Sequence, residues 1–391
     1  MTYAAERGLL EMDTTEVDRW IGVPLGGQQF REPFSTNDIR RFVQGMQNPN
    51  PLYFDDEFAE RSRFGRIVAP QSYFGGGPGT GATPSIQGTV PGTHMLFGGD
   101  EFWFFGPRIF PGDKPYMERM LYDYKIANTS FAGPTMFSRG DTVYYSERGE
   151  AIARQRSTSI RYLVENAIRL GTFDTQREDP EWSDEDLEAF ELEKIRYIKS
   201  YLDRGHEKRP WESVSVGEKL PRRLLGPHSI QSFTTESRTD VGGWNAHYQS
   251  GGPSSTMEAG WLPEMSRDDE RTNINPGAGD GLVYGPSRGH VQPRWARVIG
   301  MPRGYGYGAS MGAWITDYLT NWGGEWGFLV HVNSQYRNPA FTGDVTYQDG
   351  EVIDKYVDAQ GKAIVQVQHV MTNQNGVTMA RGVGEIQLPQ E

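Results

Sequence analysis

The chain of 391 residues contains no cysteine. That excludes a disulfide framework, a thiolate nucleophile and any metal or iron–sulfur centre held by cysteine. Long apolar runs are also missing: no stretch approaches the about 18 residues that a membrane-spanning helix needs. The opening MTYAAERGLLEMDTTEVDRW has neither the basic start nor the apolar stretch of a secretory signal, so a cytoplasmic setting is expected. Basic charge is short. A net charge of −12 argues against nucleic acid as a partner, and it favours an anionic ligand only where arginines gather locally.

What remains suits a globular protein. Hydrophobic residues make up 36% and charged residues 23%, and the length suits two domains of ordinary size. Three pairs of segments recur in the same order. Asn48 to Pro70 (NPNPLYFDDEFAERSRFGRIVAP) falls into step with GPSRGHVQPRWARVIGMP, ending at Pro302, when Tyr53 is set over His290. GPRIFPGD, ending at Asp113, matches YRNPAFTGD, ending at Asp344. RGEAIAR, from Arg148, matches NGVTMAR, from Asn375. Three ordered matches indicate an internal duplication of about 150 residues.

STNDIRRFVQGM places Ile39, Phe42, Val43 and Met46 on one helical face after a polar cap. GGGPGTGATP, from Gly75, is too rich in glycine and proline to hold a packed helix. The corresponding ASMGAWITDYLTNW, from Ala309, is expected to be an intact buried helix. The pair DTVYYSERGEAIARQRS reads as a hairpin around Arg148-Gly149. Residues 175–210 are highly charged and read as a linker helix lying across the surface, with Leu187, Phe190, Ile195, Ile198 and Leu202 at roughly helical spacing. Residues 240–283 form a Gly/Pro/Asp-rich insertion of the length usually reserved for function or disorder. Asp113 and Asp344, each after a glycine, are read as turn chemistry.

The segment around Asn48–Tyr53 and its copy around His290 resemble the MaoC-like dehydratases, a hotdog-fold family that includes the (R)-specific enoyl-CoA hydratases. The family motif runs Asp-x-Asn-Pro-(aliphatic)-His, then an acidic residue and an aromatic-Ala pair, here Phe58-Ala59 and Trp295-Ala296. The first half resembles the FAS1-like dehydratase domain in particular. The resemblance implies an α+β fold of two hotdog domains, each a curved antiparallel sheet wrapped on a central helix, forming a pseudo-dimer within one chain. It places an N-terminal hotdog at 1–170, the linker helix at 171–211 and a C-terminal hotdog at 212–391.

The resemblance also implies a chemistry. In the family an aspartate and a histidine hold the water that adds to the β-carbon of an enoyl thioester, and a backbone N–H at a helix N-terminus receives the charge on the thioester oxygen. Here the first half carries Asn48 and Tyr53 at the two positions, so it is expected to be a degenerate scaffold half. The second half keeps His290 and has Gly285 at the aspartate position. Gly308 stands where the oxyanion donor belongs, and Asp280 is the acid available in the adjacent loop. Asn48, Tyr53, Tyr305, Tyr307 and Trp314 are expected to line the substrate, and Arg66, Arg297 and Arg303, with Arg61, Arg63 and Arg294, to meet its phosphates. The expected substrate is a bulky acyl-CoA or carrier-bound thioester, lodged in the groove that the broken first-half helix leaves open beside Tyr73, Phe74 and Phe102 to Phe105. The other readings are a non-catalytic acyl-CoA-binding pseudoenzyme or subunit, or a thioesterase, lyase or cyclase on the same scaffold. No cofactor or metal is called for, and a homodimer is expected.

Overall fold

The computed structural model describes residues 3–29, 32–76, 83–173, 176–233, 288–290, 293–306 and 308–391. The 240–283 insertion with Asp280, and Tyr307, lie outside the described residues.

Ten strands form one sheet: β1 (Gln28–Gln29), β2 (Thr93–Phe104), β3 (Tyr116–Thr129), β4 (Gly133–Tyr145), β5 (Ala151–Leu163), β6 (Arg223–Leu225), β7 (Phe328–Tyr336), β8 (Thr346–Val357), β9 (Ala363–Asn373) and β10 (Thr378–Gln387). Their order is β1-β3-β4-β5-β2-β7-β10-β9-β8-β6, and every neighbouring pair is antiparallel. Read outward from the centre, the first half runs β2-β5-β4-β3-β1 and the second runs β7-β10-β9-β8-β6. The two halves share one connection scheme. They are joined edge to edge where β2 pairs with β7, from Gly99 opposite Gln335 to Trp103 opposite His331. Gly99 has φ +152°, and a Cβ there would lie 2.4 Å from the Ser334 carbonyl oxygen, so glycine lets the edges close.

The repeated segments fold alike because their turns are local chemistry. Asp113 and Asp344 each accept a hydrogen bond from the backbone N–H of the phenylalanine three residues before, Phe110 at 2.8 Å and Phe341 at 3.3 Å. Gly112 and Gly343 both take positive φ. The hairpins also match: Ser146 N–H donates to the Glu150 carbonyl and Asn373 N–H to that of Val377, with Gly149 and Gly376 both left-handed. The first-half motif makes a 3₁₀ turn Pro51–Tyr53 and then a helix Asp56–Arg61. The second makes a 3₁₀ turn Arg288–His290 and a helix Pro293–Val298. The spacing from Tyr53 to one helix and from His290 to the other is the same.

The predicted amphipathic helix is Thr36–Gly45, closed by a Ser35/Asp38 capping box, with Ile39, Phe42 and Val43 buried. The central helix Gly308–Gly323 is buried nearly all round. It crosses β2, β7 and β10 and meets the short first-half helix Tyr73–Gly76. Residues 77–82 of the glycine run that follows Tyr73–Gly76 lie outside the described residues. The sheet beside that helix is not open, however. The turn Thr83–Ile86 lies on β4, where a Cβ at Gly140 would be 2.3 Å from Ser85 N. Arg161 reaches over from β5 to the carbonyls of Ser85, Gln87 and Gly88.

Two expectations need correction here. The aromatic run at 102–105 alternates, as a strand must. Phe102 and Phe104 are buried in the core, whereas Trp103 stacks on His331 and Phe105 is exposed. Phe74 packs on Tyr144 at 4.4 Å and Phe102 on Phe104 at 5.4 Å, so these rings fill space between themselves. The charged helix Asp184–Leu202 does more than lie on the surface. Phe190, Tyr197 and Tyr201 are buried beneath it, while Leu187, Ile195 and Leu202 are exposed. Amphipathic tyrosines, with one apolar ring and one polar tip, carry that contact in place of the aliphatic residues.

Candidate functional site

His290 ends its 3₁₀ turn 7% exposed. Its Nδ1 lies 2.8 Å from the Tyr305 carbonyl oxygen. A carbonyl only accepts, so Nδ1 carries the hydrogen and the neutral ring keeps its lone pair on Nε2. The ring also leans on that of Tyr305, with centroids 4.2 Å apart. The close approach depends on Gly304, where a Cβ would lie 2.9 Å from the His290 carbonyl oxygen. Gly308 then opens the central helix. A Cβ there would lie 2.3 Å from Phe97 Cβ of β2, so only glycine brings this helix end against the sheet. Helix N-termini present backbone N–H groups without intrahelical partners and a partial positive charge. The structure therefore brings His290 and Tyr305 together, with Tyr305 three residues before the helix that Gly308 opens. It ties them to the first half through Tyr162, whose hydroxyl donates to the Ile299 carbonyl at 2.6 Å.

The first-half motif packs reciprocally against the second-half helix. Tyr53 is buried, with Arg108 and Thr320 hydrogen-bonded to its hydroxyl, and burial pushes its pKa up to about 12. Asn48 Oδ1 accepts from the Asn321 amide at 3.2 Å, and Asn50 donates to Asn321 Oδ1 at 2.8 Å. Ser72 donates to Asp317 Oδ1 at 2.6 Å. The Asn48 amide nitrogen faces the same carboxylate without reaching hydrogen-bond geometry. Burial pushes Asp317 up to about 6, against the charge of Arg223, which holds it down. A carboxylate thus stands near Tyr53 after all, supplied by the other half. Sequence reasoning missed Asp317. Its signal was a lone charged residue inside AWITDYLTNW, a helical segment with no other ionised side chain.

A second buried carboxylate, Asp100, sits at the β2–β7 seam. It accepts from Gln155 at 2.6 Å and from the Tyr336 hydroxyl at 3.0 Å, and burial pushes it up to about 7. Gly312 of the central helix leaves space for it: a Cβ there would lie 2.8 Å from Asp100 Oδ2.

Of the other expected site residues, Trp314 is buried in the core and stacks on His228, with centroids 5.3 Å apart. Arg297 is exposed on its helix, and Arg66 is exposed over the Phe110 ring at 4.3 Å. Arg303 is buried, and its donors are spent on Asp344 and on the carbonyls of Thr342, Gln176 and Glu178. These bonds use four of its five N–H donors and hold the 176–180 segment against it. His94, His206, His228, His331 and His369 each have a hydrogen-bonding partner in the frame; His247 lies outside the described residues. Among the described residues no cluster has metal-ligand geometry, and no helix is long and apolar enough to cross a membrane.

Residues 19–155 match the family described as FAS1-like, dehydratase domain region. A protein from Thermomonospora curvata described as a probable enoyl-CoA hydratase alpha subunit is 26% identical over 160 residues, which are 37% of this chain and 49% of that protein. The match thus spans about half the length of that relative. A solved structure described as a MaoC-like dehydratase superposes with a TM-score of 0.58 at 13% identity, covering 93% of this chain and 98% of the other. A MaoC domain protein dehydratase from Chloroflexus aurantiacus superposes with a TM-score of 0.50 at 11% identity, covering 94% and 95%. Residues 19–155 thus match a FAS1-like dehydratase domain region, and the chain as a whole has a fold like those of the two MaoC dehydratase structures.

Proposed function

We propose that the protein is an acyl-thioester hydratase or dehydratase whose working site is in the second half. The observation that carries this is the His290 imidazole, buried and fixed by the Tyr305 carbonyl so that Nε2 is its basic nitrogen, on the segment leading to the Gly308 helix start. In the hydration direction Nε2 takes a proton from water, the water oxygen bonds to the β-carbon, and the α-carbon receives a proton. Meanwhile negative charge develops on the thioester oxygen, where a helix N-terminal N–H can receive it. Asp280 is the proposed acid partner.

The matching strand order of the two halves supports reading them as a pseudo-dimer of hotdog units, spanning 1–170 and 212–391, with the first half serving as scaffold. The proposed substrate is a CoA or carrier thioester with a bulky acyl group. The glycine- and proline-rich run 75–84, at the place where the second half has its helix Gly308–Gly323, supports that size. The packed rings of Phe74, Tyr144, Phe102 and Phe104 favour a shorter acyl chain instead. A non-catalytic acyl-CoA-binding role is the second reading, favoured by Asn48 and Tyr53 at the first-half motif positions.

The test is turnover of crotonyl-CoA and of bulky cyclic enoyl-CoA esters by wild type, His290→Ala and Tyr53→Phe. His290→Ala is expected to lose about 10²–10⁴-fold, and Tyr53→Phe to stay within several-fold of wild type. Equal rates for His290→Ala and wild type overturn the assignment. Rates that fall once the acyl group exceeds about four carbons overturn the bulky substrate.

A further inference from the structure

The charged helix Asp184–Leu202 meets the end of the central helix across a small cavity. Tyr201, Tyr318 and Trp322 line it, and each is more than nine-tenths buried. The Tyr201 and Tyr318 hydroxyls and the Trp322 Nε1–H have no hydrogen-bond partner among the described residues. Buried polar groups almost always find one, so three around one cavity point to an occupant. The cavity volume, about 10 Å³, suits a single particle the size of a water molecule or a little larger. Phosphates and acyl groups are far too large for it.

The lining is one-sided in charge. No aspartate or glutamate takes part in it. Arg204 does, after donating to the Trp322 carbonyl at 2.6 Å, and among the described residues no carboxylate lies within ion-pair distance of Arg204. Burial, with Arg209 nearby, lowers Arg204 to about 10, so it remains charged at neutral pH. Arg209 donates to the same carbonyl and covers the Trp322 ring at 4.5 Å, but it is paired with Glu218. Burial pushes the Tyr201 and Tyr318 phenols up from the ordinary value, so both keep their hydrogens. The other polar side chains are engaged: Ser200 donates to the Tyr197 carbonyl at 2.6 Å, and the Asn321 amide to the Tyr197 hydroxyl at 3.4 Å.

A neighbouring cavity of about 20 Å³ shares Tyr201, Arg204 and Asn321. It is also lined by Glu325, which pairs with His206 and accepts from the Arg63 backbone N–H, so an anion there would face a carboxylate.

We infer that Tyr201, Arg204, Tyr318 and Trp322 bind a halide ion that joins the Asp184–Leu202 helix to the central helix. Indole and guanidinium N–H groups only donate, and the two phenols have hydrogens to give. A halide accepts from every side and brings no hydrogens. A water molecule would bring two, with only phenol oxygens to receive them. The uncompensated guanidinium favours the anion further. This does not depend on the His290 reading, since none of that site's residues lines the cavity.

The test is the stability of the full chain in sodium chloride, bromide and gluconate at equal ionic strength. The urea midpoint should rise with chloride or bromide and then saturate. Gluconate, too large for the cavity, should leave it low. At ten times the dissociation constant, one site raises the folding equilibrium constant by about 10-fold. Tyr201→Phe with Tyr318→Phe deletes only unpartnered hydroxyls, so the protein should fold, and halide affinity should fall by about 10-fold or more. Arg204→Gln should lower it by a similar factor. Wild-type crystals grown in bromide should show anomalous scattering among the four side chains. Equal midpoints in chloride and gluconate, a rise that never saturates, an effect that survives both variants, or water alone at the site in bromide overturns the inference.

Discussion

Ser72 donates its hydroxyl hydrogen to Asp317 across 2.6 Å, tying the turn after the first-half motif to the middle of the second-half helix. Both residues are buried. The contact is one strand of a polar web that also holds Asn48, Asn50, Asn321 and Tyr197. Arg223 closes the web from the other side, giving hydrogen bonds to the Trp314 and Gln47 carbonyls.

Asp317 should make stability depend on pH. Its folded pKa, about 6, lies above the ordinary 3.8, so the folded state holds the proton more tightly than the unfolded chain. The stabilising effect is complete below about pH 4 and is lost as pH rises through 6. Asp317→Asn should remove roughly 3 kcal/mol of that dependence. Urea midpoints of both proteins at pH 4 and pH 8 test this: parallel pH dependence would show that Asp317 ionises normally.

Asp100 should act in the same direction over a wider window, from about pH 4 to 7, because its folded pKa is about 7. An asparagine can still accept from Gln155 and can donate to the Tyr336 oxygen. Asp100→Asn is therefore expected to be the more stable protein at pH 8, with the advantage vanishing below pH 4. Thermal melts across that range check it; a variant less stable than wild type at pH 8 refutes the account.

Gly308→Ala should destabilise the fold by about 1–3 kcal/mol. The new methyl would meet Phe97 Cβ at 2.3 Å, an atom fixed to the β2 backbone that cannot swing aside. Chemical denaturation gives the number. The double substitution with Phe97→Gly, which removes that Cβ, should cost less than the two single changes summed, and simple additivity would place the strain elsewhere.

Arg223→Met should cost about 3–5 kcal/mol despite the similar length of the side chain, because it strands buried carbonyls that the guanidinium now satisfies. The effect should reach the first half, since the Gln47 carbonyl is among them. Hydrogen exchange of amides in Thr36–Gly45 should rise with the loss of global stability; a change confined to the second half contradicts the proposed link.

Much of the fold was legible in the chain because it is written in short-range chemistry. The Gly-Asp turns before β3 and β8, the Gly149 and Gly376 hairpins, and the Ser35 cap each depend on residues a few positions apart, so a duplicated sequence repeats them. The central helix was legible from one apolar face, Ala309, Ala313, Trp314, Tyr318 and Leu319. His290 was visible as a motif residue, yet its orientation was not, because the Tyr305 carbonyl reaches it only after the chain doubles back at Gly304.

The sequence by itself determined that segments recur in the same order, that one copy keeps the histidine and the other does not, and where the Thr36–Gly45 helix and the Gly149 and Gly376 hairpins lie. Only the tertiary structure decided that β2 and β7 fuse the copies into one sheet, that Asp317 faces the degenerate motif, and that Arg303 is walled in while Arg66 is open. These are contacts between residues from about forty to more than two hundred positions apart, set by which edges and faces have no other way to satisfy their hydrogen bonds and bury their apolar surface. No local pattern encodes them.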